Sequence, residues 1–160
     1  MTIEKQFAVG EIKLDLIVPS KRTFEATFLI KKDAMHASVD EKWGWEDPIQ
    51  RNFHKERFFN KPFHSLSIHG QTIGTVSIQF SDTFIQFGEF YILQDWRRKG
   101  LGSKILKAVT DIADHHAMPI RLEHLKWNPV RSLYRRHGFI DVKNTDIHII
   151  MERPAKAAVQ

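Results

Sequence analysis

The chain has 160 residues, with 24 Lys and Arg against 19 Asp and Glu, which gives a formal net charge of +5. A chain of this length buries about 70% of its extended-state surface on folding, so it predicts one domain that requires no disulfide or structural metal. Cysteine is absent, which excludes a disulfide framework, Cys-ligated zinc, iron–sulfur clusters and a cysteine nucleophile.

The distribution of apolar and basic residues sets expectations about location and ligands. No apolar run approaches the roughly 18 residues of a membrane span, and residues 1–5 do not lead into a signal-peptide core, so we expect a cytoplasmic protein without a membrane partner. The positive charge favours an anionic ligand, either nucleic acid or a phosphorylated cofactor. Two basic clusters lie in the C-terminal half, at Arg97, Arg98, Lys99, Lys104 and Lys107 and at Lys126, Arg131, Arg135 and Arg136.

The predicted elements begin with a strand and two helices. Apolar residues that alternate with mostly polar ones predict a strand over residues 12–18. A helical stripe predicts a helix over residues 24–37. The sequence Asp47-Pro48-Ile49-Gln50 predicts a second helix with Asp47 at the N-cap and Pro48 in the first turn, ending near Phe59.

Strands dominate the next part of the chain. Residues 65–69, 72–80 and 83–93 are rich in β-forming residues and are separated by short turns, which predicts an antiparallel meander. An amphipathic helix follows over about 102–116, then a strand over 120–126. Asn128 and Pro129 predict the start of a last helix that ends at Gly138, and residues 148–151 form a final strand. This order predicts an α/β fold, with one domain over residues 1–152 and a flexible tail over residues 153–160.

The most informative segment runs from a strand through a basic glycine loop into a helix, with the sequence Arg97-Arg98-Lys99-Gly100-Leu101-Gly102-Ser103. Glycines let the backbone approach a ligand, and the first N–H groups of a helix favour an anion. The dinucleotide fingerprint fails because Ile105 holds the position of its third glycine, and the Walker pattern also fails. The loop therefore predicts a phosphate site of a different class.

A second motif, Asn128-Pro129-Val130-Arg131-Ser132-Leu133-Tyr134-Arg135-Arg136-His137-Gly138-Phe139, follows the loop. The loop matches Arg/Gln-x-x-Gly-x-Gly/Ala and the second motif matches Asn…Leu-Tyr-x-x-x-Gly-Phe, so residues 24–152 resemble the GCN5-related N-acetyltransferase (GNAT) superfamily. Residues 24–45 resemble a bacterial branch of uncharacterised function. The resemblance implies a mixed sheet, with an antiparallel meander followed by splayed parallel strands and helices on both faces.

The resemblance also implies acetyl-coenzyme A as the co-substrate, and no metal. Its pyrophosphate is expected on the amides of the loop, and its pantetheine arm is expected to pair with the end of the preceding strand. The residues implied to bind it are Phe90, Tyr91, Ile92, Arg97, Arg98, Lys99, Gly100, Leu101, Gly102, Ser103 and Asn128.

Acetyl transfer to an amine requires a neutral amine, although only about one part in 10³ of a lysine-like amine is neutral at pH 7. The motif match indicates Tyr134 as the general acid that protonates the leaving thiolate. Glu123 is the first candidate for the general base; Glu89 and a water chain are the alternatives. Trp45, Glu46 and Glu89 are expected to line the acceptor site.

Other interpretations of these residues remain open. Tyr134 is also compatible with a buried structural tyrosine, Glu123 with a solvated or paired strand residue, and Asn128 with a helix cap. The acceptor is a small-molecule amine or a peptide or protein amine, and a homodimer is possible. Two other classes of function compete with the enzyme: a module that binds acyl-coenzyme A without turnover, and a nucleic-acid-binding protein. The last is disfavoured because the aromatic residues form no stacking motif among the basic ones.

Overall fold

The structure is a computed structural model that describes residues 6–156. The elements in chain order are β1 (Gln6–Val9), β2 (Ile12–Leu16), α1 (Lys21–Trp43), α2 (Asp47–Asn60), β3 (His64–Ile68), β4 (Gln71–Phe80), β5 (Ile85–Ile92), a 3₁₀ turn (Gln94–Trp96), α3 (Leu101–His115), β6 (Ile120–Leu125), α4 (Arg131–Arg136), β7 (Ile140–Asn144) and β8 (His148–Arg153). No helix within residues 6–156 combines the length and the apolar composition needed to cross a membrane.

The strands form a mixed sheet in the order β1-β2-β3-β4-β5-β6-β8-β7. β1 to β4 pair successively in antiparallel fashion, and β8 is antiparallel to both β6 and β7. β5 and β6 are parallel, with a register of two residue pairs, Ile85 with Ile120 and Gln86 with Arg121. The predicted α/β fold, with a meander and then a parallel pair of strands, is confirmed.

The described residues fall into two compact units. The unit that we call the N-terminal unit contains residues 6–78 and 89–97, and the C-terminal unit contains residues 79–88 and 98–156. The end of β5 and the start of the basic loop belong to the N-terminal unit, whereas α3, β6 and α4 belong to the C-terminal unit.

Helix α1 of the N-terminal unit is longer than the sequence predicted because both of its ends are well defined. Ser20 and Thr23 form a capping box, in which the Ser20 hydroxyl accepts from the Thr23 N–H at 3.1 Å and the Thr23 hydroxyl accepts from the Ser20 N–H at 2.8 Å. Gly44, at φ 78°, ends the helix. The buried rings of Phe28 and Phe58 pack in the aromatic core between α1 and α2.

The prediction that Asp47 caps α2 is wrong. Glu46 occupies the cap position without a side-chain hydrogen bond, and Asp47 is the first helical residue. The Asp47 carboxylate accepts hydrogen bonds from the Lys32 ammonium at 2.9 Å and from the Trp45 indole, and these bonds lower the pKa of Asp47. The Asp47 carboxylate therefore accepts a hydrogen bond from a tertiary partner on α1 instead of capping the start of α2, as the local pattern predicted.

The start of α4 also differs from the prediction. The helix begins at Arg131, with Val130 rather than Asn128 at the cap position. The Asn128 side-chain oxygen accepts from the Val130 N–H at 3.1 Å, which forms an Asx-type turn ahead of the helix. Gly138, at φ 91°, follows the end of α4 as predicted.

Two edge strands were not predicted from the sequence. β1 has four residues and, among the strands of residues 6–156, pairs only with β2. β7 leaves Ile140 and Val142 about half exposed, so it lacks the buried alternation that marks an interior strand. β8 extends to Arg153, one residue into the predicted tail, and residues 157–160 of that tail lie outside the described residues.

The ion pair between Asp114 and Arg153 holds α3 against the end of β8, and Asp114→Asn is expected to lower the free energy of unfolding by about 1–2 kcal/mol, as measured by urea denaturation. The Arg153 guanidinium donates to both carboxylate oxygens, at 2.8 and 3.1 Å, and its side chain is only 12% exposed. The guanidinium lowers the pKa of Asp114 in the folded state. The pair therefore contributes its full stabilisation at pH values above the pKa that Asp114 has in the unfolded chain. This contribution is lost as the pH falls through the pKa of Asp114 in the folded state.

The matched control is Asp111→Asn, which removes an exposed pair with Lys107 on the same helix. This variant should change stability by less than about 0.5 kcal/mol. Equal effects of the two substitutions at pH 7, or an Asp114 effect that does not shrink in acid, would contradict the assignment.

Candidate functional site

The basic loop leads into α3 through a left-handed turn. Gly100 has φ 74° and occupies the N-cap position, and no side chain there accepts a hydrogen bond from the first helical turn. Arg98, at φ 61°, precedes it, and Arg98, Lys99 and Gly100 are exposed. The start of a 15-residue helix thus carries uncapped donors and the positive end of the helix dipole beside two cationic side chains. This arrangement suits an anionic group such as a phosphate.

The start of the same loop is anchored within the N-terminal unit. Gln94 binds α1 through two hydrogen bonds to Asp33, each of 3.0 Å. The Leu93 N–H donates to the Ile73 carbonyl at 2.8 Å. The Arg97 guanidinium turns back and donates to the carbonyl of Ile92 at 2.9 Å. Arg97 therefore braces the end of β5 in this structure.

Gly74 is a residue of the site region that the sequence analysis did not identify. A Cβ atom at Gly74 would lie 2.1 Å from the carbonyl oxygen of Tyr91, so only glycine permits this approach of β4 to β5. The approach fixes the position of the Tyr91 backbone, in the segment predicted to bind the pantetheine arm. A single glycine in a strand gives a signal for close backbone contact, but it does not identify the partner.

Tyr134, the predicted acid, is buried in the C-terminal unit with 5% exposure. Its ring contacts Phe87, His124 and Phe139, with centroid distances of 6.3, 5.9 and 5.7 Å. Burial raises the pKa of Tyr134, because the phenolate would be poorly solvated there. The hydroxyl is therefore protonated near neutral pH, as a hydrogen-bond donor requires.

His124, which stacks on Tyr134, is a second residue that the sequence analysis missed. Its Nδ1 lies 2.9 Å from the Leu125 carbonyl, which only accepts, so Nδ1 carries the proton and Nε2 the lone pair. Nε2 is buried and has no hydrogen-bond partner in the described residues. Desolvation lowers the pKa of His124, so the ring is neutral near pH 7.

The structure does not bring Glu123 to Tyr134. Glu123 is exposed, whereas its neighbours Leu122 and His124 on β6 are buried. Because side chains alternate along a strand and His124 packs on Tyr134, Glu123 points to the opposite face of β6.

Glu89 lies in a charged and largely buried environment in the N-terminal unit. Its side chain is 6% exposed, and Oε1 lies 3.5 Å from the Arg57 guanidinium. The Tyr91 hydroxyl donates to Oε2 at 3.3 Å. Glu89 has a positive φ of 47°, an uncommon conformation for glutamate. Strained backbone of this kind is frequent at functional sites.

The other predicted site residues occupy more ordinary positions. Trp45 packs on α1, with its ring 5.2 Å from that of His36 and 6.3 Å from that of Phe28, and Glu46 is exposed. The Ser103 hydroxyl lies 3.0 Å from Nε2 of His137, which ties the first turn of α3 to the end of α4. Within residues 6–156, no group of three or more His, Asp or Glu side chains is arranged to hold a metal ion.

Comparison with known proteins gives one family and many similar structures. The family model described as the acetyltransferase (GNAT) domain matches residues 60–141, just over half of the chain. The comparison with curated proteins gives no significant match.

Three solved structures illustrate the likeness in fold. PH1933 from Pyrococcus horikoshii OT3 superimposes with a TM-score of 0.71 at 20% identity, covering 92% of this chain and 100% of its own. The PaiA N-acetyltransferase from Thermoplasma acidophilum, in complex with coenzyme A, has a TM-score of 0.67 at 15% identity, covering 88% and 98%. The ribosomal-protein-S18-alanine N-acetyltransferase from Escherichia coli has a TM-score of 0.62 at 18% identity, covering 92% and 97%.

Proposed function

The chain belongs to the GNAT acetyltransferase family, and we propose on this basis that it transfers the acetyl group of acetyl-coenzyme A to a primary amine. The amine attacks the thioester directly in a ternary complex, since the chain has no cysteine to carry an acetyl-enzyme intermediate. The observation that supports the proposal most strongly is that the start of α3, which follows the left-handed Gly100, has no side-chain cap. This segment lies within the residues that the family model matches.

The fit to acetyl-coenzyme A rests on the loop. Its pyrophosphate would accept hydrogen bonds from the amides of residues 98–103, while Arg98 and Lys99 balance the charge. Phe90, Tyr91 and Ile92 would bind the pantetheine amides through their backbones, and Asn128 would contribute from the turn before α4. The complex of the Thermoplasma acidophilum PaiA enzyme with coenzyme A supports this choice of co-substrate.

Tyr134 has the properties of a hydrogen-bond donor to the leaving sulfur. A thiol has an ordinary pKa of about 8.5, well below the raised pKa of this buried phenol, so net proton transfer from Tyr134 to the thiolate is unfavourable, and the hydroxyl acts by donating a hydrogen bond to the negative charge that develops on sulfur. A donor placed in a water-poor environment stabilises that charge strongly. The backbone N–H of Ile92 is the proposed donor to the carbonyl oxygen of the thioester.

Glu89 fits the role of base better than Glu123. The Glu89 carboxylate is buried, and Glu89 directly precedes Phe90, the first residue of the proposed pantetheine segment. Glu123, in contrast, is exposed on the face of β6 opposite to Tyr134. A base must lie within hydrogen-bond reach of the acceptor nitrogen, directly or through one water. We assign Glu89 to this role, and assign Glu46 and Trp45 to the outer part of the acceptor site.

The acceptor is proposed to be a small-molecule or peptide amine rather than nucleic acid. The Escherichia coli structural relative is named a ribosomal-protein-S18-alanine N-acetyltransferase, which supports a peptide amine as one candidate acceptor. We propose a cytoplasmic enzyme without a metal.

The proposal is tested by incubating the protein and acetyl-coenzyme A with a panel of primary amines and N-terminal peptides and measuring free thiol. With at least one amine, free thiol should be released from acetyl-coenzyme A at a rate proportional to the enzyme concentration. Mass spectrometry should then detect the N-acetylated form of that amine. Tight cofactor binding with no thiol release from any amine would instead support an acyl-coenzyme A-binding module.

A further inference from the structure

Arg97 uses its side chain to bond a backbone group of the proposed pantetheine segment. Its Nε donates to the carbonyl oxygen of Ile92 at 2.9 Å. Arg97 is exposed and Ile92 is partly exposed, so this hydrogen bond lies at the protein surface. The proposed function uses the backbone of Ile92, but it gives no role to the guanidinium that already occupies its carbonyl.

The carbonyl of Ile92 points away from β4. The residues on either side of it face that strand: the Leu93 N–H donates to the Ile73 carbonyl at 2.8 Å, and the Tyr91 carbonyl oxygen lies against Gly74. Backbone N–H and C=O groups of successive strand residues point to opposite edges of the strand. The N–H and the C=O of Ile92 therefore both lie on the edge of β5 opposite to β4.

This edge of β5 is not paired with a strand at Ile92 within residues 6–156, because the register with β6 contains only Ile85 and Gln86. The backbone groups of such an edge form main-chain hydrogen bonds with an added peptide-like ligand. The pantetheine arm contains amide groups, and the proposed function places them along this segment. The guanidinium of Arg97 therefore occupies the acceptor atom that a pantetheine N–H would use.

The backbone at Arg97 is anchored, whereas its side chain is held by a single contact. Two hydrogen bonds of 3.0 Å tie Gln94 to Asp33 on α1, and the Arg97 N–H donates to the Gln94 carbonyl at 3.2 Å. In the described part of the chain, the guanidinium forms one hydrogen bond and no ion pair. A guanidinium released from Ile92 is therefore an uncompensated cation, and phosphate oxygens are partners that it binds in bidentate fashion.

We propose that Arg97 is a specificity-determining residue that selects pantetheine ligands carrying a diphosphate, an inference that rests on the proposed function. A pantetheine N–H replaces the guanidinium at the Ile92 carbonyl, and the protein loses a charge-assisted hydrogen bond. The diphosphate of coenzyme A compensates for this loss, because the released guanidinium pairs with it. Pantetheine without phosphate offers no such compensation. The protein therefore discriminates against acyl-pantetheine compounds that lack the diphosphate.

The contact between Arg97 and Ile92 is tested first, in the protein without ligand. The ¹³C chemical shift of the Ile92 carbonyl should change in Arg97→Met, which keeps an unbranched side chain but removes the donor. It should stay the same in Arg98→Met, the matched control, since Arg98 is exposed and forms no hydrogen bond or ion pair within the described residues. An Ile92 carbonyl shift that is identical in the wild type and Arg97→Met would overturn the inference.

The selection itself is tested by the Kd values of coenzyme A and of pantetheine, measured by calorimetry and by amide shift titration. Arg97→Met should bind pantetheine about 3- to 10-fold more tightly than the wild type, because the competing donor is gone. The ratio of the pantetheine Kd to the coenzyme A Kd should fall by about 10- to 100-fold, because the pair with the diphosphate is lost. Arg98→Met should weaken the binding of coenzyme A without tightening that of pantetheine.

The outcomes separate the inference from the proposed function. Pantetheine that binds Arg97→Met no more tightly than the wild type, including undetectable binding to both, would overturn the inference, as would an unchanged ratio of Kd values. The acetyltransferase would then stand if the wild type binds coenzyme A and releases thiol. Selection without thiol release from any amine would reject the catalytic function alone. Absence of coenzyme A binding by the wild type would reject both.

Discussion

Tyr134→Phe is expected to lower kcat by about 10²-fold or more while leaving the affinity for acetyl-coenzyme A unchanged. The substitution removes one oxygen from a ring that Phe87, His124 and Phe139 hold in place, so the packing of the C-terminal unit is retained. The lost hydroxyl is the proposed donor to the leaving sulfur. Steady-state thiol release and calorimetric titration with acetyl-coenzyme A measure the two quantities separately.

Tyr91→Phe is the matched control because it also removes a tyrosine hydroxyl, in this case the one that donates to Glu89. Tyr91→Phe should change the pH dependence of kcat more than it changes the maximal value of kcat. Unchanged turnover in Tyr134→Phe would leave Tyr134 as a structural residue of the aromatic cluster. An equal loss of cofactor affinity would also contradict the assignment, because it would indicate a role in binding rather than in the chemical step.

Gly100→Val is expected to weaken the binding of coenzyme A by about 5- to 30-fold, because the left-handed conformation costs an L-residue roughly 1–2 kcal/mol. A Cβ at Gly100 would meet no atom within 4 Å, so the effect comes from φ 74° and not from a clash. A β-branched residue should move the turn toward allowed φ and misdirect the first amides of α3. Calorimetry with coenzyme A measures the loss.

Two substitutions control for general effects of backbone strain. Gly70→Val places the same residue at φ 79°, also with no atom within 4 Å, in the turn between β3 and β4, and it should lower stability without changing the affinity. Gly100→Asn should retain most of the binding, since asparagine tolerates the left-handed region. Undiminished binding in Gly100→Val would mean that the phosphate site lies elsewhere.

The sequence predicted the fold where local patterns and tertiary structure agree. The helix over 102–116 and the meander over 65–93 combine clear periodicity with turn residues, and both were found nearly at the predicted bounds. β1 and β7 were not predicted because an edge strand needs no alternation of buried and exposed residues. In β7, for example, Ile140 and Val142 are exposed. The prediction that Asp47 caps α2 was wrong because Lys32 and Trp45 donate hydrogen bonds to its carboxylate. A local sequence pattern contains no information about such tertiary partners.

The candidate site was predictable to the extent that it is local. The loop and Tyr134 lie in contiguous motifs, so the sequence alone was enough to propose both. The ion pair of Arg57 and Glu89 joins a helix to a strand that is distant in the sequence. Nothing in a charged residue's own neighbourhood shows that it will be buried, which is why the burial of Glu89 and the neutral His124 became visible only in the folded chain.

The central claim is that the start of α3 binds the diphosphate of coenzyme A, and backbone amide chemical shifts test it most directly. On titration of the ¹⁵N-labelled protein with coenzyme A, the largest shifts should fall on Leu101, Gly102 and Ser103, and in Gly100→Val these shifts should require a correspondingly higher coenzyme A concentration. Saturable binding that leaves these three amides unmoved, or no binding at millimolar coenzyme A, would contradict the account.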